Sequence, residues 1–331
     1  MSYFIAVSNF ERRKNKMYYL GIDLGGTNIA AGVVDENYRM VAKTSRKTKV
    51  PCPDEEMCGQ LAAAAEETLE KAGITLNDVP YIGVGSPGTV NRETGVIEYA
   101  NNLHFQHFEI KKMLEKKIGQ KVVIENDANA AAFGEYKAGA LRGAKIGIAI
   151  TLGTGVGSGI ILNGKIFSGG NFAGGELGHT VIVANGRLCT CGRHGCWEAY
   201  ASATGLIAST REAMEKDKSS KLWEVADGSL KNVDGRTAFR AMRLGDAAGK
   251  AVVDEYIFYL ACGLTNCINI FQPDILCIGG GISNEGAPLM DPLGKAIRQE
   301  VYSKFSRKQS VLCRAQLGND AGILGAALLE E

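Results

Sequence analysis

Short apolar runs broken by glycine-rich turns pattern this chain, and their spacing predicts an α/β architecture. A strand follows Met17 and ends in Ile22-Asp-Leu-Gly-Gly-Thr-Asn, after which Ile29 to Val34 is apolar again. The same order returns at Ile150-Thr-Leu-Gly-Thr-Gly-Val, running into Gly159 to Leu162, so that Ile22, Leu24 and Gly25 are answered by Ile150, Leu152 and Gly153. Each copy reads as strand, tight turn, strand. An internal repeat of that kind predicts two duplicated α/β lobes, each offering a hairpin to a cleft between them.

Between the copies, Asp54 to Lys71 reads as an Ala-rich helix opened by Pro53-Asp54 and closed by Gly73. Tyr81 to Ser86 reads as a strand running into Pro87-Gly88. Lys121 to Glu125 reads as another, ending at Asn126-Asp127-Ala128-Asn129, with a helix over Ala130 to Lys137. In the second half a long helix, Asp246 to Phe271, leads to a buried strand from Asp274 and then to Gly279-Gly280-Gly281. Asn319 to Leu328 reads as a helix that returns to the first lobe.

Two charge-free runs raise the question of membrane spans. Ile146 to Lys165 is broken by Gly147, Gly153, Gly155, Gly157 and Gly159 and reads as strand, turn, strand. Tyr256 to Pro273 carries Thr265, Asn266, Asn269 and Gln272 and suits a buried helix of a soluble fold.

Composition narrows the function classes. With 331 residues, 45% of them hydrophobic, the chain can bury the cores of two lobes. Its 37 basic side chains balance 36 acidic ones, so no overall field favours nucleic acid or an anionic membrane, and small uncharged ligands fit better. Nine cysteines, an odd number, suit a reducing cytosol and a cytoplasmic location. Residues 1–16 lack the organisation of a signal peptide and read as a disordered extension with a short basic run, Met17 being a candidate start.

The densest chemistry lies from Glu176 to Glu198. His179, Cys189, Cys191 and Cys196 form a Cys₃His set that tetrahedral Zn²⁺ accepts, and Gly192 and Gly195 let the loop turn its thiolates inward. Four protein ligands close the shell, which argues for a structural ion. The plainer alternative is ordinary reduced cysteines, and His194 reads as a solvated loop residue. The glycine and threonine turns at Gly25-Gly26-Thr27 and Gly153-Thr154-Gly155 suit phosphate oxygens, because N–H groups and hydroxyls can face an anion without Cβ obstruction. Asp127 sits where a strand ends and a helix begins, a place for a ligand-facing carboxylate or simply for an N-cap. The three glycines at 279–281 suit either a flat ring or a flexible turn. There is no dinucleotide Gly-x-Gly-x-x-Gly fingerprint after an early strand and no P-loop lysine.

Together Asp23-Leu-Gly-Gly-Thr-Asn, Gly85-Ser-Pro-Gly, Glu125-Asn-Asp-Ala-Asn, Leu152-Gly-Thr-Gly-Val-Gly, Gly175-Glu-Leu-Gly-His, the Cys189 to Glu198 segment and Gly279-Gly-Gly resemble the ROK family of repressors, open reading frames and sugar kinases, from about Met17 to the end. Ala201-Ser-Ala-Thr-Gly-Leu looks most like its glucose-phosphorylating branch. The resemblance implies a two-lobe actin-like ATPase fold, a duplicated ribonuclease H-like α/β fold with an interlobe cleft. A small lobe would span 17–127 plus a C-terminal helix at about 315–331, and a large lobe 128–314.

It further implies transfer of phosphate from ATP to the 6-hydroxyl of glucose, with Asp127 as general base. Asn102, Asn126, Glu176, His179 and Glu198 would contact the sugar alongside Asp127, and Asp23 would hold the Mg²⁺ of ATP. Gly25, Gly26, Thr27, Thr151, Gly153, Thr154 and Gly155 would cradle phosphates, with Gly279, Gly280 and Gly281 also on the nucleotide. Zinc would clamp His179 against the sugar. A homodimer or homotetramer is implied as well. Kinases for fructose, mannose or N-acetylmannosamine would differ in Glu98 to Phe108. A sugar-sensing repressor is disfavoured, because sixteen residues before Met17 leave no room for a helix-turn-helix.

Overall fold

The computed structural model describes residues 17–101 and 103–331, so the expected N-terminal extension and the Asn102 sugar contact lie outside the described residues. It divides into two units, 17–139 with Ser168–Gly174 and Asn319–Glu331, and Ala140–Phe167 with Gly175–Gly318.

In the first unit the chain runs β1 (Tyr18–Leu24), β2 (Asn28–Asp35), β3 (Met40–Lys47), α1 (Asp54–Ala72) and β4 (Ile82–Ser86). Three short strands follow, β5 (Thr89–Asn91), β6 (Val96–Ala100) and β7 (Phe105–Phe108), then α2 (Ile110–Ile118), β8 (Val122–Asn126) and α3 (Asp127–Ala138). The main sheet has the order β3-β2-β1-β4-β8, while β5, β6 and β7 form a small sheet of their own. β1 pairs antiparallel with β2 and parallel with β4, which pairs parallel with β8. The C-terminal ends of β1, β4 and β8 therefore share one sheet edge. Helix α1 ends where Gly73 takes φ 67° and returns its N–H to Glu70 and Leu69, the left-handed cap that glycine adopts without strain. Its buried Met57, Leu61, Ala65 and Leu69 pack into one core with Leu20, Ile22, Val84 and Ile124.

The C-terminal helix Ala321–Ala327 lies on the same sheet. Gly21 and Gly83 are register partners on β1 and β4, and a side chain on either would collide with the backbone of that helix. Gly134 and Gly325 play the same part between the helix and α3. This close packing places α3 in the first unit. The boundary expected after residue 127 falls instead after Gly139, because α3 is held by Ala321 and Gly325.

The second unit contains β9 (Ile146–Leu152), β10 (Val156–Leu162), β11 (Lys165–Ile166), α4 (Ala203–Lys216), α5 (Ala247–Phe271), β12 (Ile275–Gly279), α6 (Ala287–Glu300) and β13 (Val311–Arg314). Its sheet order, β11-β10-β9-β12-β13, repeats that of the first unit. The duplicated sequence motif is thus a duplicated hairpin, β1–β2 and β9–β10, each with a parallel neighbour. Helix α5 is long and apolar enough to cross a membrane. Its Val252, Tyr256, Leu260, Leu264 and Ile268 instead belong to the second core, a stripe at helical spacing.

Candidate functional site

Asp23 is near the end of β1, in register with Gly85 of β4, which is in turn in register with Glu125 of β8. A Cβ on Gly85 would lie 3.6 Å from the Asp127 Cα, an ordinary van der Waals contact, so the start of α3 lies directly against the end of β4. Asp127 is half-buried. Desolvation raises its pKa, while the N–H of Ala128, 2.8 Å from Oδ1, pulls it back. Burial also raises Asp23, to about 6, with the negative charge of Asp127 adding to the rise and Lys43 opposing it. Lys43 is itself ion-paired to Asp320.

Asp127 is not the helix cap. Asn126 holds that position, its Oδ1 accepting the Asn129 N–H at 3.1 Å and its Nδ2 donating to Gly88 O at 3.1 Å. The Asp127 carboxylate is thereby released from capping and is the first helical residue of α3.

The first glycine turn is braced from outside. Gly25 donates to Asn28 O at 2.9 Å, and Thr48 donates its N–H to Thr27 O at 2.9 Å and its hydroxyl to Gly25 O at 2.7 Å. Gly26 and Thr27 are exposed at the tip. Thr48 lies one residue beyond β3, and nothing in its local sequence pointed to this role.

The second turn is held in the same way. Gly153 donates to Gly155 O at 3.0 Å, Ala203 donates to Gly153 O at 2.9 Å, and the Thr204 hydroxyl donates to Thr154 O at 2.8 Å. Thr151 on β9 is in register with Gly279 on β12. Gly280 takes φ 84° against the Leu152 backbone, where a side chain would collide, while Gly281 borders open space. Gly280 thus forms a tight turn that needs glycine.

Zinc is tested by the geometry of its donor set. The donor atoms of His179, Cys189, Cys191 and Cys196 all lie within 4.8 Å of one another. Cys191 and Cys196 Sγ are 3.7 Å apart, and Cys189 Sγ is 3.6 Å from His179 Nδ1. A tetrahedron with Zn–S about 2.3 Å has S···S edges of roughly 3.8 Å, so the four residues fit the ion. Gly192 and Gly195 both take positive φ, 87° and 83°, and a side chain on Gly195 would strike Val183 O. His194 lies outside the cluster, exposed, with Nδ1 3.0 Å from Gly186 O. Trp197, fully buried, anchors the loop: its Nε1 donates to Tyr259 O at 3.0 Å, and its ring fills the space over Gly263 of α5.

The remaining expected sugar contacts converge on β10. Glu198 Oε2 accepts the Val156 N–H at 2.9 Å, and Oε1 accepts the Thr190 hydroxyl at 3.3 Å and the Cys189 thiol at 3.6 Å. Glu176 is exposed and opens the 3₁₀ turn Leu177–His179. That turn is fixed where Leu177 N–H donates to Ser158 Oγ at 3.1 Å and where Gly178 presses on Val156 O.

Duplicated sheets of this order, each with a glycine turn at the end of its first strand, place the protein in the class of actin-like ATPase folds. Within that class the chain belongs to the ROK family, which it matches over residues 19–331. It is 38% identical over 313 residues to a glucokinase of Thermotoga maritima, covering 94% of this chain and 96% of that one. A glucokinase of Streptomyces coelicolor is 36% identical over 310 residues, covering 93% and 96%. The solved structure of a ROK family glucokinase from Streptomyces griseus in complex with glucose and AMPPNP gives a TM-score of 0.81 at 36% identity, covering 94% and 98%.

Proposed function

We infer that the protein is an ATP-dependent glucose kinase that forms glucose 6-phosphate. The observation that carries its mechanism is Asp127, a half-buried carboxylate freed from capping by Asn126, with its pKa raised by desolvation. An alcohol is a poor nucleophile at neutral pH, and a carboxylate whose pKa is raised toward the working pH is a better base for its proton than an exposed one.

Roles follow within each unit. In the first, Asp127 takes the proton of the 6-hydroxyl, Asn126 orients the sugar, and Asp23 holds the Mg²⁺ of ATP directly or through water. The Gly25-Gly26-Thr27 turn receives phosphate oxygens. In the second, Thr151 and the Gly153-Thr154-Gly155 turn do the same, and Gly279, Gly280 and Gly281 support the nucleotide. Glu176, His179 and Glu198 bind ring hydroxyls, since carboxylates and an imidazole can accept and donate across neighbouring OH groups. His179, Cys189, Cys191 and Cys196 hold a structural Zn²⁺, which fixes the imidazole and charges the loop with no step of the reaction. Bound Mg²⁺ supplies charge neutralisation to the transferring phosphoryl group. The enzyme works in the reducing cytosol, as a homodimer or homotetramer.

ADP release with Mg-ATP and a panel of glucose, mannose, fructose, N-acetylglucosamine and N-acetylmannosamine tests this reading. Turnover highest with glucose is expected. Preference for another sugar would move the specificity, and no turnover with any of them would remove the kinase assignment.

A further inference from the structure

Glu125 directly precedes Asn126 and Asp127 and is 1% exposed, and the chemistry above gives it no part. Its Oε1 accepts the Asn126 N–H at 2.9 Å and the Asn129 Nδ2–H at 3.0 Å. Asn129 donates its own N–H to Asn126 Oδ1, so this carboxylate holds Asn126 both directly, at its backbone, and through the residue that bonds its side-chain oxygen. Its Oε2 has no hydrogen-bond partner among the described residues and faces Arg92 Nε at 3.0 Å. Burial raises the Glu125 pKa, and the charge of Arg92 and the bonds from Asn129 and Asn126 pull it down. An ionised carboxylate at this depth needs its counter-charge.

Arg92 comes from another part of the unit. It opens the turn between β5 and β6, and that turn is stiff: Asn91 Oδ1 accepts the N–H of Glu93 at 3.1 Å and of Thr94 at 3.2 Å, and Gly95 donates to Asn91 O at 2.8 Å. Gly95, at φ 74°, sits so close to Lys111 of α2 that a side chain would collide. A second link runs beside it. The Asn126 amide donates to Gly88 O, and Gly88, at φ 98°, presses on Tyr99 and Ala100 of β6.

We propose that Arg92 and Glu125 form a positioning pair for the sugar, coupling the small β5–β7 sheet to the strand end that carries Asn126 and Asp127. The proposal deepens the kinase reading and rests on it for the roles of Asn126 and Asp127. Removing the Arg92 charge leaves Glu125 to take up a proton or turn toward water, and either loosens Asn126 and Asn129 together. Asp23 and the two glycine turns are outside this hydrogen-bonded network, so the effect falls on the sugar and not on ATP.

Steady-state kinetics and glucose calorimetry on the wild type, Arg92→Met, Arg92→Lys, Glu125→Gln and the Glu125→Gln/Arg92→Met double variant test it. Arg92→Met is expected to raise the glucose KM and Kd ~10-fold, with the ATP KM within about twofold and kcat at saturating glucose within about threefold. Arg92→Lys, which keeps a charge within reach, restores the glucose KM to within about threefold. In the Glu125→Gln background, where no buried charge remains, the penalty of Arg92→Met shrinks to about twofold. A wild-type glucose KM in Arg92→Met, or the same penalty in both backgrounds, overturns the pair. Should Arg92→Met not fold, a double variant that folds with near-normal glucose affinity supports it, and one that does not fold overturns it. Glucose binding by the wild type without turnover would contradict the kinase reading instead, and the binding comparisons would still decide the pair.

Discussion

The backbone N–H of Val156 donates to Glu198 Oε2 at 2.9 Å, so the carboxylate that follows the cysteine loop is anchored on the strand leaving the second glycine turn. Its other oxygen is shared by Thr190 and Cys189 of the loop itself. The cysteine loop and the strand leaving the second glycine turn are therefore joined through one side chain.

Gly155 gives that relationship a handle. A methyl group there would collide with the Glu198 carboxylate, with no strain in the turn's φ needed to explain the effect. Gly155→Ala is expected to lower kcat/KM for glucose by at least ~10-fold, since a displacement of about 1 Å in a positioning group is costly. Metal analysis should still find zinc in the variant, and kinetics with glucose varied would show the loss. Unchanged kcat/KM would mean that Glu198 is free to move.

Zinc binding should depend on pH with a definite sign. In the metal-free protein, burial and the neighbouring thiols push Cys196 up to about 12, and burial raises Cys189 as well. Thiols must lose their protons to bind the ion, so affinity weakens as pH falls, about tenfold per pH unit for each proton displaced. Chelator competition at pH 8 and pH 6 measures this, and equal affinities would contradict it. Cys191→Ser is expected to lose zinc and glucose affinity together; full zinc with ordinary glucose affinity would take Cys191 out of the site.

Much of this was legible because the signals are local. The hairpin repeat, the Gly73 cap and the cysteine spacing each lie within a few residues of sequence, where backbone preference and ligand spacing decide the outcome. What escaped depends on partners far along the chain. Thr48 bracing Gly25, Thr204 on Thr154, and Arg92 on Glu125 are contacts that only the folded sheets create. The same limit explains the capping result. Asn126 and Asp127 are both good N-caps, and the choice falls to Asn126 because β8 runs through it and its amide reaches Gly88. It also explains the shifted boundary, since the glycines that seat α3 against the C-terminal helix are unremarkable in sequence.

Asp23 should exchange stability for function. Its pKa moves from 3.8 to about 6, so the folded state holds the proton more tightly than the unfolded chain. Below 3.8 both states are protonated and nothing is lost; between 3.8 and 6 the cost grows as pH rises, and above 6 it is complete. The gap corresponds to ~3 kcal/mol at most. Asp23→Asn is thus expected to raise Tm in metal-free buffer at pH 7.5, and far less at pH 4, while abolishing turnover with Mg-ATP. Thermal unfolding at the two pH values checks the sign, and an equal change at both would contradict it.

Asp127→Asn tests the central claim most directly, through kcat for glucose phosphorylation with saturating Mg-ATP and the calorimetric Kd for glucose measured on the same preparation. The amide keeps the shape of the side chain and cannot take the proton. Glucose affinity within a few-fold of the wild type together with a fall in kcat of at least ~10²-fold is the expected result. Near-normal turnover in the variant would contradict the account, because the hydroxyl would then be losing its proton without Asp127.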